Sequence, residues 1–165
     1  MSQSPLISVC IPTYNYGRYI MQAVKSAIEQ TVDNIEILIV DDASNDLTSD
    51  IIESLSKEDN RIRYIQHSTN IGMVENWNYC LSNAKGKYIK YLFADDFFTS
   101  KRSLESLLLG FSDERVVIST SARRLVDEFS NCFGLFAPYK ENKIIKGDVA
   151  IKDSLLRQMN LIGEP

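Results

Sequence analysis

Histidine occurs once among the 165 residues of this chain, at His67, and cysteine three times, at Cys10, Cys80 and Cys132. The cysteines lie far apart and none stands in a C-x-x-C pair, which excludes a zinc site and a disulfide framework. Isolated thiols of this kind suit a reduced, cytosolic setting. His67 has no cysteine or second histidine near it and reads as a loop residue at a strand end, not as a metal ligand. Basic residues are outnumbered, 18 Lys and Arg against 22 Asp and Glu, and the net charge is −4. Arg61 with Arg63, and Arg123-Arg124, are too short to form a basic block, so general nucleic-acid binding is excluded. No apolar run approaches the length that crosses a bilayer. The opening Met1-Ser2-Gln3-Ser4-Pro5 has neither the basic nor the apolar segment of a signal peptide. Internal repeats and low-complexity stretches are absent, as is any G-x-x-x-x-G-K-[ST] loop for a nucleoside triphosphate.

What is present is an ordinary globular composition, 44% hydrophobic and 24% charged. That is enough for one domain with a real core, expected over residues 1–165. Apolar runs at residues 6–11, 35–40 and 87–93 read as strands, and the alternation at 61–66 reads as a strand nearer a sheet edge. Between them, Ile20, Val24, Ala27 and Ile28 give residues 18–30 one apolar helical face, and Leu47, Ile51, Ile52 and Leu55 do the same for 47–56. Asp46 or Ser44 can cap that second helix. Val74, Trp77, Leu81 and Ala84 form the stripe expected for 73–84, which Lys85-Gly86 ends. Later signals are weaker. Leu104, Leu107, Leu108 and Phe111 mark a helix, 116–118 a strand, 134–143 a loop and 146–160 a helix. Strands alternating with helices predict an α/β fold, a parallel sheet with helices on both faces.

The organising stretch is Lys87-Tyr88-Ile89-Lys90-Tyr91-Leu92-Phe93-Ala94-Asp95-Asp96. It reads as a buried strand that runs into two adjacent carboxylates. Like charges side by side are costly, and a divalent cation with a taste for oxygen ligands relieves them. On its own, an Asp pair reads more readily as a turn or a helix cap. Two further strand ends, however, carry marked polar loops, Pro12-Thr13-Tyr14-Asn15 and Asp41-Asp42-Ala43-Ser44. In a doubly wound sheet such loops converge on one crevice. An aromatic ring and two pairs of acids around that crevice suit a nucleotide diphosphate with a metal. Tyr14 can stack on a base, Asp42 can accept from base N–H groups, and Asp95 and Asp96 can hold a ribose and a cation. Lys87 and Lys90 read as solvated edge lysines, and Tyr16 and Tyr19 as neighbours of the crevice.

These motifs resemble those of the family 2 inverting glycosyltransferases. Ile7 to Asn15 is similar to that family's first strand and Pro-Thr-Tyr-Asn loop. Glu36 to Asp46 is similar to its second strand and acidic turn, with Ala43 where glycine is usual. Asn70-Ile71-Gly72, Asn78 and Ala84-Lys85-Gly86-Lys87-Tyr88-Ile89 are similar to its third helix and fourth strand. Asp95-Asp96 falls on its D-x-D region. The resemblance runs in order from about Leu6 to Phe98. It implies the GT-A fold, a Rossmann-like three-layer α/β/α sandwich. It also implies a nucleotide-sugar site drawn from Pro12, Thr13, Tyr14, Asn15, Asp41, Asp42 and Asp95, and a Mn2+ or Mg2+ ion on Asp95 and Asp96. In that reading Thr13, Tyr14 and Asp42 line the base, Asp95 meets the ribose and Asp96 the metal.

Two departures stand out. Phe93 replaces the usual first acid of the D-x-D stretch, and Trp77 stands where arginine is common. The implied reaction is sugar transfer from a nucleotide-diphosphate sugar, a UDP-sugar above all, to an acceptor hydroxyl with inversion. The acceptor would be a saccharide or a lipid-linked saccharide, in cell-surface polysaccharide synthesis on the cytosolic side of a membrane. The catalytic base is expected beyond Pro165, in a domain truncated on its acceptor side. Glu164, Asp127 and Glu128 are poor candidates for it. Two alternatives remain: a catalytically silent nucleotide-sugar-binding fragment, and a phosphoryl-transfer or receiver domain. The second leaves the Pro-Thr-Tyr-Asn loop and the second acidic turn unexplained.

Overall fold

All seven residues of β1 (Ile7–Thr13) and all seven of β2 (Ile35–Asp41) are buried. Successive strand side chains point to opposite faces, so unbroken burial means that both faces of the sheet are covered. The computed structural model describes residues 4–137 and 139–157. It divides into two compact units, Met1–Leu104 and Glu105–Pro165.

The first unit holds a four-stranded sheet in the order β3-β2-β1-β4, with β3 at Ile62–Gln66 and β4 at Tyr88–Tyr91. Every pairing is parallel. The crossovers are α1 (Ile20–Ile28), α2 (Thr48–Glu58) and α3 (Met73–Asn83). The chain steps outward from β1 to β3 and then returns past β1 to β4. With right-handed crossovers that reversal puts α3 on the face opposite α1 and α2. The packing agrees. Cys80 of α3 joins Cys10, Leu38 and Val40 in one buried cluster. The alternate residues Val9, Ile11, Ile37 and Ile39 are also fully buried, toward the face where α1 and α2 pack together. A hydrogen bond to Cys10 and burial push the Cys80 thiol up, so it stays protonated and behaves as a small apolar group.

A polar lock closes the amino end of this sheet. The Ser8 hydroxyl and the Lys85 N–H both donate to Glu36, and the Arg63 guanidinium donates to Glu36 at 3.2 Å and to the Asn83 carbonyl. The Gly86 N–H donates to Ser8 Oγ at 2.7 Å. The lock ties the end of α3 to the sheet and lays β4 beside β1.

Three expectations for this unit need correction. The strand expected over 87–93 is only Tyr88–Tyr91, and it is an edge strand among the described residues, with Ile89 39% exposed. It pairs on one side only, so its aromatic and branched residues are half-buried. On α3, Val74 and Leu81 face solvent, and the sheet-facing positions are Asn76 and Cys80. The apolar stripe misled because the Asn76 amide finds a backbone partner across the interface, donating from Nδ2 to the Val40 carbonyl at 3.1 Å. Ser44 does not cap α2. Nor does Asp46: the N-cap position is Leu47, which offers no side-chain bond, and Asp46 instead closes a turn just ahead of the helix by accepting the Thr48 N–H at 2.9 Å.

The second unit contains the end of α4 (Ser103–Leu109), a 3-10 turn at Gly110–Ser112, a hairpin of β5 (Arg123–Val126) and β6 (Cys132–Phe136), and α5 (Gly147–Arg157). The strand expected at 116–118 does not form, and Val117 and Ile118 are exposed. An apolar run becomes a strand only where a partner completes its ladder. The hairpin instead takes part of the loop expected at 134–143. Its turn is made by Asp127, whose Oδ1 accepts the N–H groups of Phe129 and Asn131 at 2.9 Å each, with Ser130 at φ 67°. Asp127 is thus a turn-forming acid. The far end of the expected helix at 146–160 lies outside the described residues, as does Glu164.

Candidate functional site

The sheet's topology reverses between β1 and β4, and the loops after β1, β2 and β4 all open at the carboxyl ends of their strands. The first two loops are clasped together. The Asn15 N–H donates to Ser44 Oγ at 2.8 Å, and Asn15 Oδ1 accepts the Asn45 N–H at 2.9 Å. The Gly17 N–H donates to Asp46 Oδ2 at 3.0 Å. Partial desolvation pushes the Asp46 carboxyl up, but the donors on Thr48 and Gly17 outweigh it and hold it below the ordinary carboxylate range.

The clasp needs two residues in the left-handed region, Asn15 at φ 57° and Ala43 at φ 61°. Asparagine tolerates that conformation and alanine does not. The glycine that the acidic-turn pattern leads one to expect at residue 43 therefore has a backbone reason. Ala43→Gly is expected to stabilise the fold by about 0.5 kcal/mol, the relief of left-handed strain less the entropy glycine adds to the unfolded chain. Urea unfolding midpoints of the two proteins check this.

The two acids at the end of β2 face inward. Asp41 is fully buried, and its carboxylate accepts from five groups. Its Oδ1 takes the Ser44 N–H at 3.0 Å and the Ser44 hydroxyl. Its Oδ2 takes Ser49 Oγ, the Tyr64 hydroxyl and Gln66 Nε2, each at 3.1 Å. Burial pushes the Tyr64 hydroxyl up to about 12, so it remains a donor. Asp41 thus organises the turn from within. Asp42, 2% exposed, holds the loop before α3. Its Oδ1 accepts the Ile71 N–H at 2.7 Å and its Oδ2 the Gly72 N–H at 2.9 Å. Its own N–H donates to the Thr13 carbonyl at 2.9 Å, joining both loops to the strand ends.

The remaining expected residues lie at the rim. Pro12 and Thr13 are buried at the end of β1, while Tyr14, 44% exposed, stands clear of the core. Past β4, the Leu92 N–H extends the ladder to the Cys10 carbonyl at 2.9 Å, and the Asp96 N–H closes a turn onto the Phe93 carbonyl at 2.9 Å. Asp95 and Asp96 are exposed there. The negative charge of Asp95, with burial and Tyr19, pushes the Tyr16 hydroxyl up, which brings the acidic turn electrostatically next to the first loop. Among the described residues no set of three or more His, Cys, Asp or Glu gathers into a metal site. Two exposed neighbouring carboxylates nonetheless fit a magnesium-like ion, which commonly takes one or two protein carboxylates and completes its shell with phosphate oxygens and water.

Reading the sequence missed Asn76. Its Oδ1 and the Thr13 Oγ1 are buried without a protein hydrogen-bond partner. Both sit at the carboxyl end of the sheet, one beside the Val40 carbonyl and the other at the end of β1. The available signal was a polar residue four places before the buried Cys80.

A family profile described as glycosyl transferase family 2 matches residues 8–145, the greater part of the chain. The chain belongs to that family. An uncharacterized glycosyltransferase of Haemophilus influenzae is 40% identical over 96 residues, covering 58% of this chain and 30% of the relative. The glycosyltransferase GlyG of Streptococcus pneumoniae is 40% identical over 93 residues, covering 56% and 31%. An uncharacterized glycosyltransferase of Rickettsia typhi is 34% identical over 149 residues, covering 90% and 46%. The chain therefore spans less than half the length of these relatives.

Among solved structures, S. aureus TarS 1–349 in complex with UDP-GlcNAc superimposes with a TM-score of 0.60 at 28% identity, covering 65% of this chain and 31% of that one. The mannosyltransferase PcManGT from Pyrobaculum calidifontis, in complex with GDP-Man and Mn2+, gives a TM-score of 0.63 at 23% identity, covering 70% and 34%. The fold is GT-A. In this family 2 chain the two departures noted above meet, since the Trp77 and Phe93 rings lie 4.8 Å apart, with Tyr91 6.1 Å from Phe93. The Tyr91 hydroxyl donates to the Trp77 carbonyl at 2.8 Å, fixing the group.

Proposed function

We propose that this chain carries the donor site of an inverting glycosyltransferase that takes its sugar from a nucleotide-diphosphate sugar, a UDP-sugar above all. The observation that carries the reading is the assembly at the sheet's reversal point. Exposed Tyr14, exposed Asp95 and Asp96 and the inward-facing Asp42 are held by three loops at the same end of neighbouring strands. Tyr14 offers its face to the base. Asp42 keeps lone pairs beyond those used by Ile71 and Gly72, and these can accept a base N–H. Pro12, Thr13 and Asn15, at the end of β1 and in its loop, would border the donor, and Asp41 holds the neighbouring turn. Asp95 takes the ribose hydroxyls, and Asp95 with Asp96 would hold Mn2+ or Mg2+. When bound, the ion supplies charge neutralisation for the departing diphosphate.

The acceptor hydroxyl attacks the anomeric carbon in line, its proton passing to a carboxylate base, and the configuration inverts. We assign no residue among those described as that base. A saccharide or lipid-linked saccharide acceptor in cell-surface polysaccharide synthesis fits the family resemblance, with work at the cytosolic membrane face. No helix among the described residues is long and apolar enough to cross a membrane.

Calorimetric titration with UDP, GDP and TDP, with and without Mn2+, tests the reading. One nucleotide, UDP, is expected to bind in a manganese-dependent way. Asp96→Ala should weaken that binding about 100-fold, roughly 2.7 kcal/mol. Binding of none of them to folded protein, or equal binding by the variant, overturns the donor site. Nucleotide-sugar binding without turnover when an acceptor is supplied would favour the catalytically silent module instead.

A further inference from the structure

We propose that Ser26 and Gln30, at the end of α1, are positioning residues for the acidic turn at Asp95 and Asp96, setting where the two carboxylates stand without touching nucleotide or metal. The inference rests on the donor-site reading above and deepens it. The turn has a firm anchor on its upstream side, where β4 pairs with β1 as far as the bond from Leu92 to Cys10. From Leu92 to Ser100 the chain has no regular structure of its own. Adjacent carboxylates repel. A turn tethered at one end would relax by swinging them apart.

The downstream anchor comes from α1, some 70 residues away in sequence. Two residues past the acids, the Phe98 N–H donates to Ser26 Oγ at 3.0 Å. The Ser26 hydroxyl in turn donates to the Ala23 carbonyl at 2.8 Å, which fixes its orientation. Gln30 is 5% exposed and both ends of its amide are engaged. Its Nε2 donates to the Ser100 carbonyl at 2.9 Å and to the Ser26 carbonyl at 3.0 Å, and its Oε1 accepts the Leu104 N–H at 3.0 Å. The Thr31 N–H adds a bond to the Lys101 carbonyl at 2.8 Å. Buried amide bonds of this kind are costly to leave half-made. The surface pair of Lys101 with Glu29, at 3.2 Å, adds little. The acidic turn is therefore a bridge held at both ends, and α1 supplies the second pier.

The test uses the chain with Ser26→Ala, Ser26→Thr and Gln30→Met, the last removing the amide at nearly constant volume. Two readouts are taken: amide exchange across residues 93–98, and Mn2+ binding with UDP, followed by calorimetry and by the spin-resonance signal of free Mn2+. Ser26→Ala and Gln30→Met are expected to speed exchange at Asp96 and Phe98 at least ten-fold, with the β1 and β2 amides unchanged. They are also expected to weaken manganese-dependent UDP binding about ten-fold while leaving manganese-free binding as it was, and Ser26→Thr should stay near the parent. Variants that melt earlier yet keep parental exchange at Asp96 and parental manganese dependence would show a merely structural role and overturn the inference. If Asp96→Ala in the same series keeps its manganese dependence, the donor-site reading fails and this inference falls with it. Should Gln30→Met not fold, Ser26→Ala decides the matter, since it deletes only one oxygen.

Discussion

Gly86→Ala is expected to lower the stability of this protein by about 3 kcal/mol or more. A Cβ built on Gly86 would lie 2.3 Å from the Ser8 nitrogen and 2.6 Å from the Ile7 carbonyl carbon. Those are backbone atoms of β1, every residue of which is buried. Neither can move without breaking the ladders to β2 and β4. Moving Gly86 instead would break its bond to Ser8 Oγ and open the lock around Glu36. A natural control is Gly147→Ala, where the added methyl meets nothing within 4 Å. It should change stability by no more than about 0.5 kcal/mol. Paired urea denaturation curves measure both. A Gly86→Ala protein as stable as its parent would mean that β4 does not lie against β1 as described.

Asp42→Asn is the second large effect, about 2–3 kcal/mol of stability. Each of its oxygens faces a backbone N–H, from Ile71 and from Gly72, and a backbone N–H cannot rotate to accept. Whichever way the new amide turns, its NH2 meets a donor. Asp41→Asn makes an instructive contrast. Asp41 has more partners, yet on the Oδ2 side they are the hydroxyls of Ser49 and Tyr64 and the amide of Gln66. Those groups can turn to accept, so the same substitution should cost only about 1 kcal/mol. Amide exchange at Ile71 and Gly72 separates the cases, rising sharply for Asp42→Asn and little for Asp41→Asn. Equal losses in both variants would mean that total burial, not the identity of the partners, sets the cost.

The contrast bears on how the site could be read. As sequence, Asp41-Asp42 and Asp95-Asp96 are the same dipeptide in the same place, just past a strand. The fold gives them opposite surroundings. The first pair closes on five hydroxyl, amide and backbone donors and on the loop before α3, while the second pair stands open to solvent. No local pattern distinguishes them, because the donors to Asp41 come from Ser44, Ser49, Tyr64 and Gln66, spread over three elements. The same limit explains α3, where the apolar stripe faced solvent and Asn76 faced the sheet. It explains the hairpin as well, since strands at Arg123–Val126 and Cys132–Phe136 depend on each other more than on their own composition.

What the sequence determined alone was whatever depends on local spacing. Apolar runs and helical periodicity gave the alternation of strand and helix in the first unit, hence a parallel sheet with polar loops at the carboxyl ends of β1, β2 and β4. Four motifs in order pointed to the family that the profile match over residues 8–145 establishes. What only the tertiary structure decided was which polar groups are buried within the fold and which stand at its surface. It turned Asp41 and Asp42 inward, left Asp95 and Asp96 outward, and tied their turn to Ser26 and Gln30. The reason is that a hydrogen bond is settled by distance in space, and these partners lie 3 to 74 residues apart along the chain.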